Sequence, residues 1–168
     1  MREFKDLTKE ELLGYLTDAT KNWLAHDGLW FQEVEKEYGI EKANEFNRNA
    51  WEYFTKIEAK RIMKRFGIEP GGGLEALDQA LRFRMYALIN EWKIERPNDY
   101  TLNFYMTECR VQVARNKKNM TPHPCKPVGI TEYGGFAKTI DPRIKVECLA
   151  CPPDAKPEGY WCGWKFTI

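Results

Sequence analysis

Apolar positions recur at helical spacing through the first half of the chain and change to a spacing of two in the second. The stretch "LTKEE" opens the first helix. Thr8 is placed to cap it, Glu11 to close a capping box three residues on, and Leu7 to act as a hydrophobic staple. Leu12, Leu16, Ala19, Trp23, Trp30 and Val34 then fall at helical spacing, and Gly39 ends the run. A second helix carries Ala43, Phe46, Ala50, Phe54, Ile57 and Ile62 and stops near Gly67. "EPGGG", Glu69 to Gly73, is a hard break, followed by a short helix from Leu74 to about Arg82. Tyr86, Leu88, Trp92 and Ile94 then alternate with more polar neighbours, which predicts a strand. Pro97 to Asp99 reads as a turn, and Leu102, Phe104 and Met106 alternate along a second strand. "CRVQVARNKKN" and "GITEYGGFAKTI" read as helices, "RIKVECL" and "YWCGWKFTI" as the last two strands. The order predicts an α+β fold: N-terminal helices packed on a mostly antiparallel four-stranded sheet with two intervening short helices.

Length and charge narrow the possibilities. A chain of 168 residues is most simply one domain, residues 1–168, with a helical half (1–83) and an α/β half (84–168) that carries the cysteine site. A net charge of +1 supplies no global field for nucleic acid or anionic lipid. "MREFKDLTKEELLGYL" lacks the apolar core of a signal peptide, and no run is long enough to span a bilayer. A cytoplasmic protein is expected, without nucleic-acid or membrane partners; its oligomeric state stays open, a homodimer included. Five cysteines, an odd number, argue against a pure disulfide framework.

The cysteines suggest chemistry. Ile144, Val146 and Cys148 share one face of the third strand; Cys162, Trp164, Phe166 and Ile168 share one face of the fourth. Both apolar sets must face the core, so Cys148 and Cys162 are expected inward, at matching ends of a hairpin. Cys125 lies in the proline-constrained loop "TPHPCKPVG" beside His123, and Cys109 sits where a strand hands over to a helix. A helix N-terminus favours thiolate, the ligand form, and four thiolates around one Zn²⁺ make a structural site. The alternative is that each cysteine packs as a small apolar residue. A thioredoxin-like Cys148–Cys151 motif is disfavoured, because Pro152, Pro153 and a loop follow it instead of a helix.

A second constellation lies in the helical half. Asp27 falls on the apolar stripe of the first helix, between Trp23, Trp30 and Val34, with His26 at its edge. Glu58 lies near Trp51, Phe54 and Ile62 on the second. Asn90 takes an inward strand position between Leu88 and Trp92. A carboxylate on an apolar stripe is costly to bury alone. It is either satisfied locally, by a backbone amide or a cation such as Arg61, or it faces a polar pocket. The pocket expected here lies between helices and sheet. Asp27 is its anchor, Trp30, Trp51 and Trp92 are among its walls, and Glu58 and Asn90 line it. A ligand carboxylate would turn to Arg61 or Arg84. A catalytic metal in the helices is disfavoured, since only two histidines exist and no H-E-x-x-H spacing appears.

The stretch "HPCKPVGITEYGGFAKTIDPRIKVECLACPPDAKPEGYWC" resembles the C-terminal part of the 4-vinyl reductase domain, found in bacterial sensors of phenols and other aromatics. The resemblance implies a structural zinc on Cys125, Cys148 and Cys162. The sensors take a fourth ligand from an upstream acid, which here leaves Cys109 or Glu108, and Cys151 becomes a spare or supporting thiol. From "NWLAHDGLWF" to "WCGWKFTI" the chain also resembles a prokaryotic cytosolic group similar to L-2-amino-thiazoline-4-carboxylate hydrolase. Two classes of function follow: a small-molecule-binding protein with a structural zinc, or a hydrolase of a small nitrogen- and sulfur-containing heterocycle. In the second, Cys151 is the free thiol available as nucleophile.

Overall fold

The computed structural model describes residues 2–168. Helix α1 (Lys9–Tyr38) starts at Thr8, whose Oγ1 accepts from Glu11 N at 3.2 Å while Glu11 Oε2 accepts from Thr8 N at 2.9 Å. Gly39 separates it from α2 (Ile40–Phe66), and Gly67 closes α2 in the left-handed region at φ 65°. Helix α3 (Gly73–Arg82) follows the glycine break. The remaining elements are β1 (Glu91–Asn98), β2 (Thr101–Glu108), α4 (Arg110–Lys117), α5 (Lys126–Ile140), β3 (Lys145–Ala150) and β4 (Cys162–Thr167).

The strands form one antiparallel sheet in the order β1-β2-β4-β3, so the fold is α+β as expected. One face is wet, with Lys93, Tyr105 and Lys165 on it. The other is apolar, and Leu102, Phe104, Trp164 and Phe166 on it are nearly or wholly buried. Helix α5 covers that face. Tyr133 stacks on Trp164 at 4.8 Å between ring centroids, and Phe136, Ala137 and Ile140 lose all exposure. The opposite side of α5 packs on α2, where a Cβ on Gly135 would come 2.6 Å from Thr55 Cγ2. Thus α5 lies between sheet and α2, and Leu74, Leu77 and Leu81 of α3 complete the core.

Three local expectations are corrected. Tyr86 and Leu88 are not strand residues: Met85–Leu88 is a 3₁₀ turn, and β1 starts at Glu91. Four alternating residues fit a turn as well as a strand, so the pattern could not separate them. The hairpin turn lies at Asp99–Tyr100 rather than Pro97–Asp99, with Asn98 paired to Thr101. The apolar stripe of α1 is also less buried than its spacing suggests. Leu12 and Leu16 are exposed and Thr20 is its one buried residue, because α1 packs mainly along α2 and misses the sheet.

Among the described residues no helix is long and apolar enough to cross a membrane.

Candidate functional site

A cavity of about 550 Å³ opens between α1, α2, α4, α5 and the sheet. Its floor is Trp164, and Trp51 and Tyr86 wall one side. The floor exists because Gly129 on α5 has no side chain: a Cβ there would sit 2.5 Å from Trp164 Cζ2. Trp164 is fully buried, yet its indole Nε1–H has no partner. The nitrogen itself is buried, so this orphan donor is not open to the cavity.

Acids gather at one end. Asp27 of α1 lines the cavity half-buried, and among the described residues no donor reaches its carboxylate. Burial raises its pKa, opposed by His26. Glu132 of α5 is buried beside it, and burial raises its pKa too, with Arg84 opposing. Burial pushes the Tyr86 hydroxyl well above its ordinary value, and the charges of Asp27 and Glu132 add to that. Behind them lies Arg84, 4 % exposed, with Nη2 2.7 Å from Glu132 Oε1 and 2.8 Å from Glu58 Oε2. Arg84 Nε also donates to Glu58 Oε2 at 3.0 Å. Arg84 meets two of these carboxylates, Glu58 and Glu132, and Asp27 adds a third near Glu132, so with all three ionised they outnumber the one guanidinium among them.

Several predicted site residues fall elsewhere. Trp30 is 65 % exposed on the outer side of α1 and lines nothing. Trp92 lies outside the cavity, stacked on Phe104, with its Nε1 donating to Ala87 O at 3.2 Å. Glu58 is the partner of Arg84 and not a wall. Asn90 does line the cavity, but from a bend before β1, where its Oδ1 accepts from Arg110 N at the start of α4. Arg84, offered as a docking point for a carboxylate, is already taken by two glutamates. Its role could not be found from sequence, because its partners lie 26 and 48 residues away.

Thiols gather at the other end. Cys109, Cys125, Cys151 and Cys162 line the cavity; Cys148 does not. The cause is a register shift between Cys148 and Ala150. Cys148 pairs with Trp164, Ala150 with Gly163, and continuing that register sets Cys151 opposite Cys162. Cys151 meets Cys162 and also lies 3.6 Å from Cys125, sulfur to sulfur. The thiol expected to be spare is therefore the central one. Contact with Cys151, then Gln112 Nε2 at 3.5 Å, hold the Cys125 thiol below its ordinary pKa despite burial. The same contacts push Cys151 far up. Burial raises Cys109 to about 12 and Cys148 to about 11.

The zinc expectation is corrected by this geometry. Among the described residues no group of three or more His, Cys, Asp or Glu side chains is arranged to hold a metal ion. Of the four expected ligands, Cys109, Cys125 and Cys162 line the cavity, while Cys148, on the near side of the register shift, does not.

His123 braces the thiol end. Gln112 Nε2 donates to His123 O, and His123 N donates to Gln112 Oε1, both at 2.9 Å. The ring nitrogen Nε2 lies 2.7 Å from Asn44 Oδ1, and the ring packs on Phe31. Burial, with Arg115 adding, lowers the imidazole pKa to about 4, so it is neutral near pH 7. Arg115 itself is engaged by both oxygens of Glu35, at 2.6 and 2.8 Å.

Residues 5–168 match the model of a family of unknown function, DUF6125. No curated protein matches the chain.

Proposed function

The chain belongs to that family, and from its cavity we propose that it is a small-molecule-binding protein whose ligand carries a cationic nitrogen, an ammonium or an amidinium. The observation that carries this is the half-buried Asp27 carboxylate, unpartnered at the wall of an aromatic-floored cavity, beside a second buried acid, Glu132. A cavity of about 550 Å³ is in the range of small-molecule sites. A cation there would offset the excess of carboxylates and supply the donors Asp27 lacks. The five free cysteines support a cytoplasmic location, where thiols stay reduced.

A hydrolase is the second proposal, favoured by one arrangement. The exposed Lys21 and Arg110 also line the cavity, at the opposite polarity from Asp27. A small cyclic amidine acid, the substrate class implied by the resemblance to L-2-amino-thiazoline-4-carboxylate hydrolase, would set its amidine against Asp27 and its carboxylate against these cations. Hydrolysis of such a compound by the parent protein, followed by mass spectrometry, separates this proposal from simple binding.

The binding test uses benzamidine and benzylamine as cations, with benzoate and benzyl alcohol as controls. The cations are expected to raise the melting temperature of the parent and the controls to leave it. Asp27→Asn should keep the fold and lose about 1–3 kcal/mol of ligand stabilisation, the scale of a charged hydrogen bond. Asp27→Leu should be stable without ligand and blind to it. Equal shifts for benzoate and benzamidine, or a full response in Asp27→Asn, would overturn the proposal.

A further inference from the structure

Cys125 and Cys151 are in contact, and the chain around them holds them so. Cys125 caps the N-terminus of α5, a helix of 15 residues. Gln112, buried on α4 and pinned by two hydrogen bonds to His123 backbone atoms, aims its third contact at Cys125 Sγ. Cys151 directly follows the bulged strand β3, and its own N–H donates to Asp154 Oδ2 at 3.2 Å. Lys126 N donates to Pro152 O at 2.9 Å, which ties together the residues that follow the two cysteines. The sulfur atoms, 3.6 Å apart, need to close to about 2.05 Å to form a bond. Both side chains line the cavity; Cys125 is partly exposed, so a small reagent can reach it there, while Cys151 is buried behind it.

We propose that Cys125 and Cys151 form a reactive dithiol in the cavity wall, a thiol–disulfide exchange site for small-molecule disulfides. Cys125 is the attacking sulfur. Gln112 Nε2 donates to it, the Cys151 sulfur lies 3.6 Å away, and it sits at the positive end of α5, an arrangement that favours thiolate there. Its lowered pKa agrees with that placement. The thiolate attacks one sulfur of the small disulfide RSSR. An S–S bond forms to Cys125, the RS–SR bond breaks, and RS⁻ leaves to be protonated. Cys151 then gives up its proton and attacks Cys125 Sγ, releasing the second RS⁻. In sum, two protein thiols and one RSSR become one protein disulfide and two RSH. The protein loses two electrons and the small disulfide gains them. Asp27 takes no part, so the exchange stands apart from ligand binding and shares with it only the cavity as a path.

The probe is glutathione disulfide or hydroxyethyl disulfide, added to the intact protein and stopped with acid, with every cysteine mapped by mass spectrometry. The parent should lose two hydrogens in mass and yield one cross-linked peptide pair, Cys125 with Cys151. Cys151→Ser should instead hold a stable mixed disulfide on Cys125. Cys125→Ser should form neither, and its loss of exchange should leave benzamidine binding intact. Asp27→Asn should exchange at the rate of the parent, which keeps a failure of the binding proposal distinct from a failure of this one. Exchange at Cys125 should exceed that at Cys148, which does not line the cavity. Cross-linking of Cys151 to Cys162, first labelling at Cys148 or Cys109, or rates equal to those of the urea-unfolded chain would each overturn the proposal.

Discussion

Glu132 Oε1 meets Arg84 Nη2 at 2.7 Å, and the same guanidinium nitrogen holds Glu58 Oε2 at 2.8 Å, so one cation joins α5 to α2 through two acids. The rings of Trp51, Tyr133 and Phe136 surround the guanidinium at 5.8, 5.3 and 4.7 Å. Such a cluster stabilises the fold only while it is complete, since each charge is desolvated.

Arg84→Met should therefore be severe. Two buried carboxylates lose their partner, and breaking a buried pair costs about 3–5 kcal/mol. Urea unfolding near neutral pH measures it. The triple variant with Glu58→Gln and Glu132→Gln added should recover much of that loss. A single variant as stable as the parent would show that Arg84 does not hold the cluster.

Ligand binding should depend on pH through Asp27. Burial raises this carboxyl above its ordinary 3.8. A bound cation favours the ionised form, so binding lowers the pKa and releases protons. Affinity for benzamidine should then rise with pH through the folded-state pKa of Asp27 and fall on acidification. Calorimetry from about pH 4.5 to 7.5 reads this, and Asp27→Asn should flatten it. A parent protein with flat affinity across the range would exclude Asp27 as the anchor.

His123 should give folding stability a pH dependence of its own, in the same direction and separable by mutation. Its folded pKa is about 4 against an ordinary 6.5. Between those values the unfolded chain binds the proton and the folded chain does not. Stability from this group is thus present above pH 6.5 and is lost as pH falls toward 4, by roughly 3 kcal/mol at most. His123→Gln should remove that part of the slope, seen as the difference between parent and variant denaturation at each pH. Identical slopes would mean that the imidazole charges freely in the folded state.

Gly129→Ala should disturb the cavity floor. The added methyl would sit 2.5 Å from Trp164 Cζ2, and the indole is pinned by its stack on Tyr133. Overpacking of this kind costs about 1–3 kcal/mol. Trp164 should move, and benzamidine binding should weaken with it. Unfolding and tryptophan fluorescence report the two effects; an unchanged spectrum with unchanged stability would mean that the floor yields easily.

What the sequence disclosed follows from how far each interaction reaches. The Thr8–Glu11 box and the glycines at 39 and 67 are local devices, and they sit where the pattern puts them. The alternation of Leu102, Phe104 and Met106 is also local and gives one buried face. Asp27 and Trp51, which line the cavity, stand out in the sequence because one breaks and the other fills a helical stripe. The bulge after Cys148 was hidden, since register belongs to two strands at once, and it changed which thiol stands opposite Cys162. Trp30 misled because a stripe on α1 shows which side is apolar and not how much of it another element covers.

Helix α5 also acts as a ruler. Cys125, Gly129 and Glu132 lie along one side of it, from the thiol end of the cavity to the acid end. Seven residues of helix rise about 10 Å. Because α5 is clamped between sheet and α2, that span cannot stretch or shrink. A cationic molecule shorter than this covers the acids and leaves the Cys125–Cys151 sulfurs open. A longer one reaches both ends and shields them. On the two proposals made above, the length of the occupant, set against one rigid helix, would therefore decide whether binding protects the dithiol or leaves it free to react.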